Sequence, residues 1–145
     1  MKQLFVIIFS VCLSLTAIGQ NAKAVCATAT SLIGANYKYG GTNPSGFDCS
    51  GFTNYVFWKN NVSLARSSSA QFSSTKTIKV KKAKPGDLVF FGKSKHKISH
   101  VGIVLENSKD KLKMIHSSTS GGVIVTDVYQ SKYWLKRLQK AGRVL

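Results

Sequence analysis

The stretch "GFDCSGF" (46–52) places one cysteine between an aspartate and a serine, close to two glycines. The loop before it, "NYKYGGTNPSGFD" (36–48), is rich in residues that interrupt regular structure. After it, "SGFTNYVFWKN" (50–60) carries apolar side chains at the three-and-four spacing of one buried helix face. The pattern therefore predicts that Cys49 lies at the N-terminus of a helix.

The elements around this helix predict the fold class. Helical patterns cover 22–35 before the loop and 65–74 after it, and "KPGD" (84–87) reads as a turn. Beyond the turn the chain changes to short β-rich runs, which are "DLVFFG", "SHVGIVLE", "KLKMIHSS", "GGVIVTDV" and "GRVL". Helices followed by strands predict an α+β fold, with N-terminal helices packed on a mostly antiparallel sheet of five to six strands.

The chain begins with "MKQLFVIIFSVCLSLTAIGQ", in which Lys2 precedes an uncharged, mostly apolar run and a small-x-small site that ends at Gly19. This pattern is typical of a secretory signal peptide over 1–19, with a second cleavage site at Ala24. The remaining residues, 20–145, have room for one domain. An uncleaved anchor would need about 20 apolar residues, more than the run provides. We expect export to the periplasm, the cell envelope or the extracellular space.

The charge of the chain is strongly positive, with 21 Lys and Arg against 5 Asp and Glu and a formal net charge of +16. Lysines cluster in three stretches, 76–84, 93–97 and 132–143. Such a surface attracts polyanions, and an exported protein meets anionic wall polymers or membrane more often than nucleic acid. We therefore expect a monomer with electrostatic affinity for the wall or membrane and without a specific nucleic-acid site. A merely solvated basic face is the alternative.

The cysteines that remain after signal removal are Cys26 and Cys49. In an exported protein two cysteines can pair as one disulfide. Cys26, however, lies in the apolar helical stretch "AVCATATSLIGA" (24–35), where a free thiol acts as a small core residue. Two free thiols are the favoured interpretation.

Cys49 is the candidate nucleophile, because a helix N-terminus or a neighbouring imidazolium lowers the pKa of a thiol from about 8.5 and supplies the reactive thiolate. Among the histidines, His96 is flanked by lysines in a predicted exposed loop and is expected to be inert. His100 lies in the predicted strand "SHVGIV", and His116 ends the next strand in "KMIHSS". Adjacent antiparallel strands can bring the two rings together, so that His100 acts as base and His116 orients it.

Other interpretations use the same residue types. Each histidine alone could be a hydrogen-bonded structural residue. Zinc could bind Cys49, His100 and His116, although no close pair of Cys or His supports such a site. A serine triad lacks the G-x-S-x-G elbow that this chemistry uses. We expect a cysteine nucleophile without metal or cofactor.

Four motifs, in this order along the chain, resemble the NlpC family of papain-like cysteine endopeptidases, which cut the stem peptides of bacterial cell walls. "YKYGG" with "GFDCSGF" is similar to the nucleophile segment, "PGDLVFF" to the lead-in strand, "SHVGIV" to the histidine segment and "MIHSS" to the third polar residue. The resemblance implies a papain-like fold, with Cys49 as nucleophile, His100 as general base and His116 as the orienting residue.

The resemblance also implies roles for residues around the nucleophile. Tyr37 matches a tyrosine beside the oxyanion site, where the backbone N–H of the nucleophile is the other donor. Asp48 and Ser50 match positions that help grip the stem peptide, including its free amino end. Arg66 and Gln71 lie in "ARSSSAQ", which is similar to another family segment, and we expect a structural role for them.

The implied reaction is attack of the thiolate on the carbonyl of the bond from D-glutamate to a diamino acid, either meso-diaminopimelate or lysine, through an acyl-enzyme. One rival is a related cysteine amidase that cuts between the sugar and L-alanine. Another is a basic binding module without catalysis, which has no need of a cysteine and two histidines. A secreted antibacterial toxin would use identical chemistry. Because no separate wall-binding domain is recognised, we expect the basic surface to supply wall affinity that salt weakens.

Overall fold

The computed structural model describes residues 21–145, and the predicted signal peptide over 1–19 lies outside them. The first helix, α1, covers 21–31 of the described residues and ends earlier than predicted. The chain leaves the helix because Gly34 has a φ of +93°, and its N–H donates to the carbonyl oxygen of Val123 at 3.0 Å. The backbone after α1 thus binds a strand instead of continuing the helix.

The other helices of the described chain are α2 (Cys49–Lys59), α3 (Ser68–Ser74) and α4 (Lys132–Arg137). The first two agree with the prediction, whereas α4 was not predicted. Asp48 fixes where α2 begins, because its carboxylate accepts a hydrogen bond from the N–H of Gly51 at 2.6 Å. No helix within residues 21–145 is long and apolar enough to cross a membrane.

A short hairpin precedes α2, and a larger sheet follows it. The strands are β1 (Thr42–Asn43), β2 (Gly46–Phe47), β3 (Lys76–Ile78), β4 (Leu88–Ser94), β5 (Lys97–Asn107), β6 (Leu112–Ser118), β7 (Gly122–Asp127) and β8 (Leu138–Arg143). In the described part of the chain, the larger sheet is six-stranded and antiparallel, in the order β3-β8-β4-β5-β6-β7. The predicted α+β class and sheet are confirmed.

The sheet differs from the prediction at the side where β3 forms the edge and pairs with β8. β8 begins at Leu138, several residues before the predicted run "GRVL", and β3 was not predicted. The two strands pair with Lys76 opposite Arg143. Exposed cationic side chains on an edge strand discourage pairing with other chains. A lysine-rich segment is therefore suited to this position.

The sheet is covered on both faces, and β4 shows this directly. Its alternating side chains point to opposite layers. Leu88 and Phe90 belong to the core formed with α1 and α2, whereas Val89 and Phe91 belong to the core that Trp134 of α4 covers. The strands that carry the two histidines therefore lie between a layer of N-terminal helices and α4.

Cys26 and Cys49 are both free in the described chain, as favoured from the sequence. Cys26 lies half-buried within α1, and its Sγ is 3.7 Å from the carbonyl oxygen of Val104 on β5. Burial raises the pKa of the Cys26 thiol. These features fit the predicted role as a small core residue.

Candidate active site

Cys49 is the first residue of α2 and directly follows the capping Asp48. Its Sγ lies 3.9 Å from the backbone oxygen of Ser99 on β5. The start of the helix therefore contacts the strand at the residue before His100. The unpaired N–H groups of a first helical turn create a positive potential at such a position.

The glycines of "GFDCSGF" hold the loop against the start of α2. The N–H of Asp48 donates to the carbonyl oxygen of Gly41 at 3.0 Å, and a Cβ on Gly51 would collide with that same oxygen. A Cβ on Gly46 would lie 2.6 Å from the Cβ of Lys38. Side chains at these glycines would push the loop away and displace the cysteine.

The two histidine rings meet as the strand pairing predicted. His100 on β5 and His116 on β6 approach with Nε2 of the first 2.8 Å from Nδ1 of the second. Gly102 leaves room for the contact, because a Cβ there would lie 3.3 Å from the Cβ of His116. His96 is exposed in the turn between β4 and β5, away from this pair.

The zinc interpretation requires the two ring nitrogens and a thiol to converge on one point. Instead, Nε2 of His100 and Nδ1 of His116 face each other at hydrogen-bond distance. Within residues 21–145, no group of three or more His, Cys, Asp or Glu side chains is arranged to hold a metal ion. The pair can relay and orient a proton.

Thr126 on β7 extends the histidine pair, and sequence reasoning missed it. Its Oγ1 lies 2.9 Å from Nε2 of His116. If Nε2 of His100 carries the proton and donates to His116, then His116 is protonated at Nε2 and donates to Thr126. This set of hydrogen bonds leaves Nδ1 of His100 without a proton, so that this nitrogen can act as a base.

Trp134 on α4 packs against both histidine rings, although the sequence of its segment indicates only a cluster of lysines. Its ring centroid lies 4.5 Å from that of His100 and 5.1 Å from that of His116. Phe91 supports the indole from β4 at 5.0 Å in an edge-to-face arrangement. The indole thus covers the rings and restricts their motion.

Burial makes both imidazoles weak bases. It lowers the pKa of His100 to about 3, helped by repulsion from His116, and it lowers the pKa of His116 to about 4. At neutral pH both rings are therefore uncharged. A neutral His100 can accept a proton, as a general base must.

The pKa of the Cys49 thiol is raised, whereas the helix N-terminus was expected from the sequence to lower it. Burial raises the pKa of Cys49, and the nearby charge of Asp48 raises it further. Backbone N–H groups, including that of Val101, act in the opposite direction but do not outweigh burial. The Cys49 thiol and the His100 imidazole are therefore both uncharged at neutral pH, so that the reactive thiolate requires proton transfer during the reaction.

Asp48 and Ser50 form a polar cluster with Arg66 beside the nucleophile. The guanidinium of Arg66 donates to both carboxylate oxygens of Asp48, at 3.1 and 2.7 Å, and to Oγ of Ser50 at 3.0 Å. Burial opposes ionisation of Asp48, but the bonds from Arg66 and from the N–H of Gly51 outweigh it and lower the pKa of the carboxyl group. The carboxylate stays charged over a wide pH range.

Gln71 on α3 has the structural role expected of it. It is fully buried, accepts from the hydroxyl of Thr53 at 2.8 Å, and donates to the carbonyl oxygens of Ser50 at 3.2 Å and Ala65 at 2.9 Å. These bonds tie the segment that carries Arg66 to the first turn of α2.

Tyr37 lies on the segment that pairs with the residues just before Cys49. Its backbone forms a bridge with Phe47, two residues before Cys49. Burial raises the pKa of Tyr37, and the nearby charge of Asp48 raises it further. The phenol therefore stays protonated and can donate a hydrogen bond at neutral pH.

A cleft of about 410 Å³ opens beside His100. One wall is the hydroxyl-bearing segment 118–120, which follows β6, and the other is α4, with Tyr133, Trp134 and Arg137. The Cζ of Arg137 lies 3.8 Å from the ring centroid of Tyr133. The site thus has two distinct surfaces, the Asp48 cluster and this cleft.

The class of the protein follows from the fold and the site together. A cysteine at the start of a helix packs on an antiparallel sheet whose strands carry a histidine and a polar partner, which is the papain-like arrangement. Residues 34–143 match the model of the NlpC/P60 family, and the chain belongs to this family.

Individual relatives agree with this assignment. "Probable endopeptidase p60" of Listeria innocua is 45% identical over 121 residues, which cover 83% of this chain and 24% of that protein. "Gamma-DL-glutamyl hydrolase" of Bacillus subtilis is 36% identical over 118 residues, 79% of this chain and 28% of that protein. The chain spans about a quarter of the length of these curated relatives.

A solved structure also resembles this chain. The crystal structure of an NlpC/P60 family protein from Bacillus cereus superposes with a TM-score of 0.77 and 26% identity, and the match covers 86% of this chain and 40% of that one.

Proposed function

We propose that this chain is an exported peptidoglycan hydrolase that cuts stem peptides at the bond from D-glutamate to the diamino acid. The observation that carries the proposal is the 2.8 Å contact between His100 and His116, on the strand that the Cys49 thiol touches through Ser99. The choice of bond is supported by the Bacillus subtilis relative named a gamma-DL-glutamyl hydrolase.

The reaction begins with a neutral thiol and a neutral imidazole. As Sγ of Cys49 attacks the γ-carbonyl carbon, His100 accepts the thiol proton, and His116 stabilises the imidazolium through the bond between their rings. His100 then gives this proton to the amine of the diamino acid as the peptide C–N bond breaks. A water molecule, deprotonated by His100, hydrolyses the thioester and restores the thiol.

The negative charge on the carbonyl oxygen in the transition state needs hydrogen-bond donors. The backbone N–H of Cys49 is one donor, because it lies in the first turn of α2, where N–H groups have no partner within the helix. The protonated hydroxyl of Tyr37 is the second. Two such donors stabilise a tetrahedral intermediate more than they stabilise the planar substrate.

The Asp48 cluster binds the acyl part of the substrate. Asp48 remains ionised, and its charge is complementary to the ammonium group of an N-terminal L-alanine. Arg66 holds the carboxylate in place through both of its oxygens, and the hydroxyl of Ser50 donates to Oδ1 at 3.4 Å. This surface favours stem peptides that have a free amino end.

The basic surface supplies affinity for the wall. Lysines of 76–84 and 93–97 are mostly exposed, and anionic wall polymers or membrane surfaces attract such charges. The protein acts as a monomer in the periplasm, the cell envelope or outside the cell. Binding to purified peptidoglycan should fall from low to high salt, because the attraction is screened. Binding that is independent of salt would contradict this part of the proposal.

Product analysis tests the bond and the nucleophile together. Wild type, Cys49→Ser and the matched variant Cys26→Ser are incubated with defined muropeptides, and the products are identified by mass. Endopeptidase activity releases a peptide that begins with the diamino acid in wild type and Cys26→Ser, but not in Cys49→Ser. Release of free L-alanine ends would instead identify the amidase, and tight binding without products would identify a binding module.

A further inference from the structure

The cleft beside His100 is separate from the surface that binds the acyl part. Its lining includes Ser99 and His100, the segment 118–120 and residues of α4, but not Asp48, Ser50 or Arg66. In the proposed reaction, the two surfaces bind the two different sides of the bond that is cut. His100 protonates the leaving amine, so the peptide that leaves must lie along the surface that His100 shares.

Arg137 is the cationic group of this cleft. Arg66 and Arg143 are each engaged by an aspartate, with N–O distances of 2.7 and 2.8 Å. Arg137 differs, since it makes no ion pair within residues 21–145. Its guanidinium keeps most of its N–H groups available for a ligand.

Packing holds this guanidinium in place before any ligand arrives. It stacks over the ring of Tyr133 at 3.8 Å, and its Nη1 donates to the carbonyl oxygen of Tyr133 at 3.3 Å. Tyr133 in turn packs edge-to-face on Trp134, at 4.9 Å between ring centroids. Trp134 contacts His100, so a continuous stack fixes the cation relative to the proposed base.

We propose that Arg137 binds a carboxylate of the leaving peptide, and that this carboxylate is the one on the side chain of meso-diaminopimelate. Guanidinium groups bind carboxylates with two parallel hydrogen bonds, and lysine offers no such group on its side chain. The hydroxyl groups of 118–120, on the opposite wall, are able to bind the polar groups of the same residue. The inference rests on the proposed function, and it makes the chain selective for stem peptides whose diaminopimelate is not amidated.

The test compares two tetrapeptide stems that differ only in this group, one with the free side-chain carboxylate and one with the carboxamide. The full chain is assayed as wild type, as Arg137→Gln and as Lys136→Gln, an exposed neighbour on α4 that removes the same charge outside the cleft. We expect wild type and Lys136→Gln to prefer the carboxylate by about 10- to 100-fold in kcat/KM, as for a charge-assisted hydrogen bond. Arg137→Gln should lose this preference, because its kcat/KM for the carboxylate stem should fall by about 10- to 100-fold, to the level of the carboxamide stem.

The inference is overturned if wild type shows no preference, or if Arg137→Gln keeps it. A binding measurement separates this failure from failure of the proposed function. The dipeptide meso-diaminopimelyl-D-alanine and its side-chain amide are titrated into wild type and Arg137→Gln by calorimetry. Carboxylate-selective binding that requires Arg137, without cleavage of any γ-D-glutamyl bond, would sustain the inference and refute the proposed function. Cleavage with selectivity independent of Arg137 would do the reverse.

Discussion

Cys26 and Cys49 are two half-buried helical thiols that contact the same strand. Their Sγ atoms lie 3.7 Å from the carbonyl oxygen of Val104 and 3.9 Å from that of Ser99. Burial raises the pKa of both. They differ in surroundings, because Cys49 begins its helix and contacts the residue before His100, whereas Cys26 lies within α1. A raised thiol pKa therefore does not distinguish the two cysteines, whereas the position at the start of a helix, against the strand that carries His100, does.

Replacement of each cysteine with serine should give the largest difference in activity between the two positions. Cys49→Ser is expected to lower kcat on a γ-D-glutamyl stem peptide by about 10⁴-fold or more, because the attacking atom is lost. Cys26→Ser should leave kcat unchanged, since that thiol contacts only backbone and core. Steady-state kinetics of both variants measure the difference, and equal losses would contradict the distinction.

Removal of the proton acceptor should make Cys49 resemble Cys26. His100→Ala is expected to lower kcat by about 10²- to 10⁴-fold, the usual contribution of general acid–base catalysis. Added to Cys49→Ser, it should have little further effect, because the two residues act as a unit. His96→Ala is the matched control, as this histidine is exposed in a turn. A purely additive double variant would argue against a shared step.

Loss of the hydrogen bond that His116 donates to Thr126 should lower activity by a smaller amount. Thr126→Val removes the partner of Nε2 of His116 and is expected to lower kcat by about 2- to 10-fold, the range of a neutral hydrogen bond, with KM unchanged. Thr126→Ser keeps the hydroxyl and should restore kcat. If valine and serine behave alike, the hydroxyl does not orient the pair.

The buried histidines should also make stability depend on pH. Their pKa values fall from about 6.5 when unfolded to about 3 for His100 and about 4 for His116 when folded. Between these values the unfolded chain binds more protons, so stability is complete above about pH 6.5 and decreases as the pH falls towards 4. Between pH 7 and pH 5, the urea midpoint should fall more for wild type and for His96→Asn than for the double variant His100→Asn with His116→Asn. An equal drop in all three would contradict the neutral pair.

Much of the site was predictable because local rules position it. The apolar spacing of 50–60 places Cys49 at the start of a helix, and alternation along neighbouring antiparallel strands brings His100 and His116 to one face. The glycines of the loop mark it as irregular in the sequence. The structural reason for Gly51, which is its close approach to the carbonyl oxygen of Gly41, becomes visible only in the fold. These features depend on short segments whose pattern the sequence displays.

The remaining features depend on contacts between distant segments. Thr126 reaches His116 only through the register of β7, in which Met114 lies opposite Thr126 and Ile124 opposite His116. Trp134 lies on a helix of six residues, too short to show a clear periodic pattern. The raised pKa of Cys49 results from burial by the assembled fold, which outweighs the effect of the helix N-terminus expected from the sequence.

The most direct test of the central claim is the location of the acyl-enzyme. Wild-type protein is mixed with excess γ-D-glutamyl stem peptide, quenched in acid during turnover, digested and mapped by mass spectrometry. The account predicts an added L-alanyl-γ-D-glutamyl group on the peptide that contains Cys49 and an unmodified Cys26. Turnover with the adduct on Cys26, or undiminished turnover by Cys49→Ser, would contradict it.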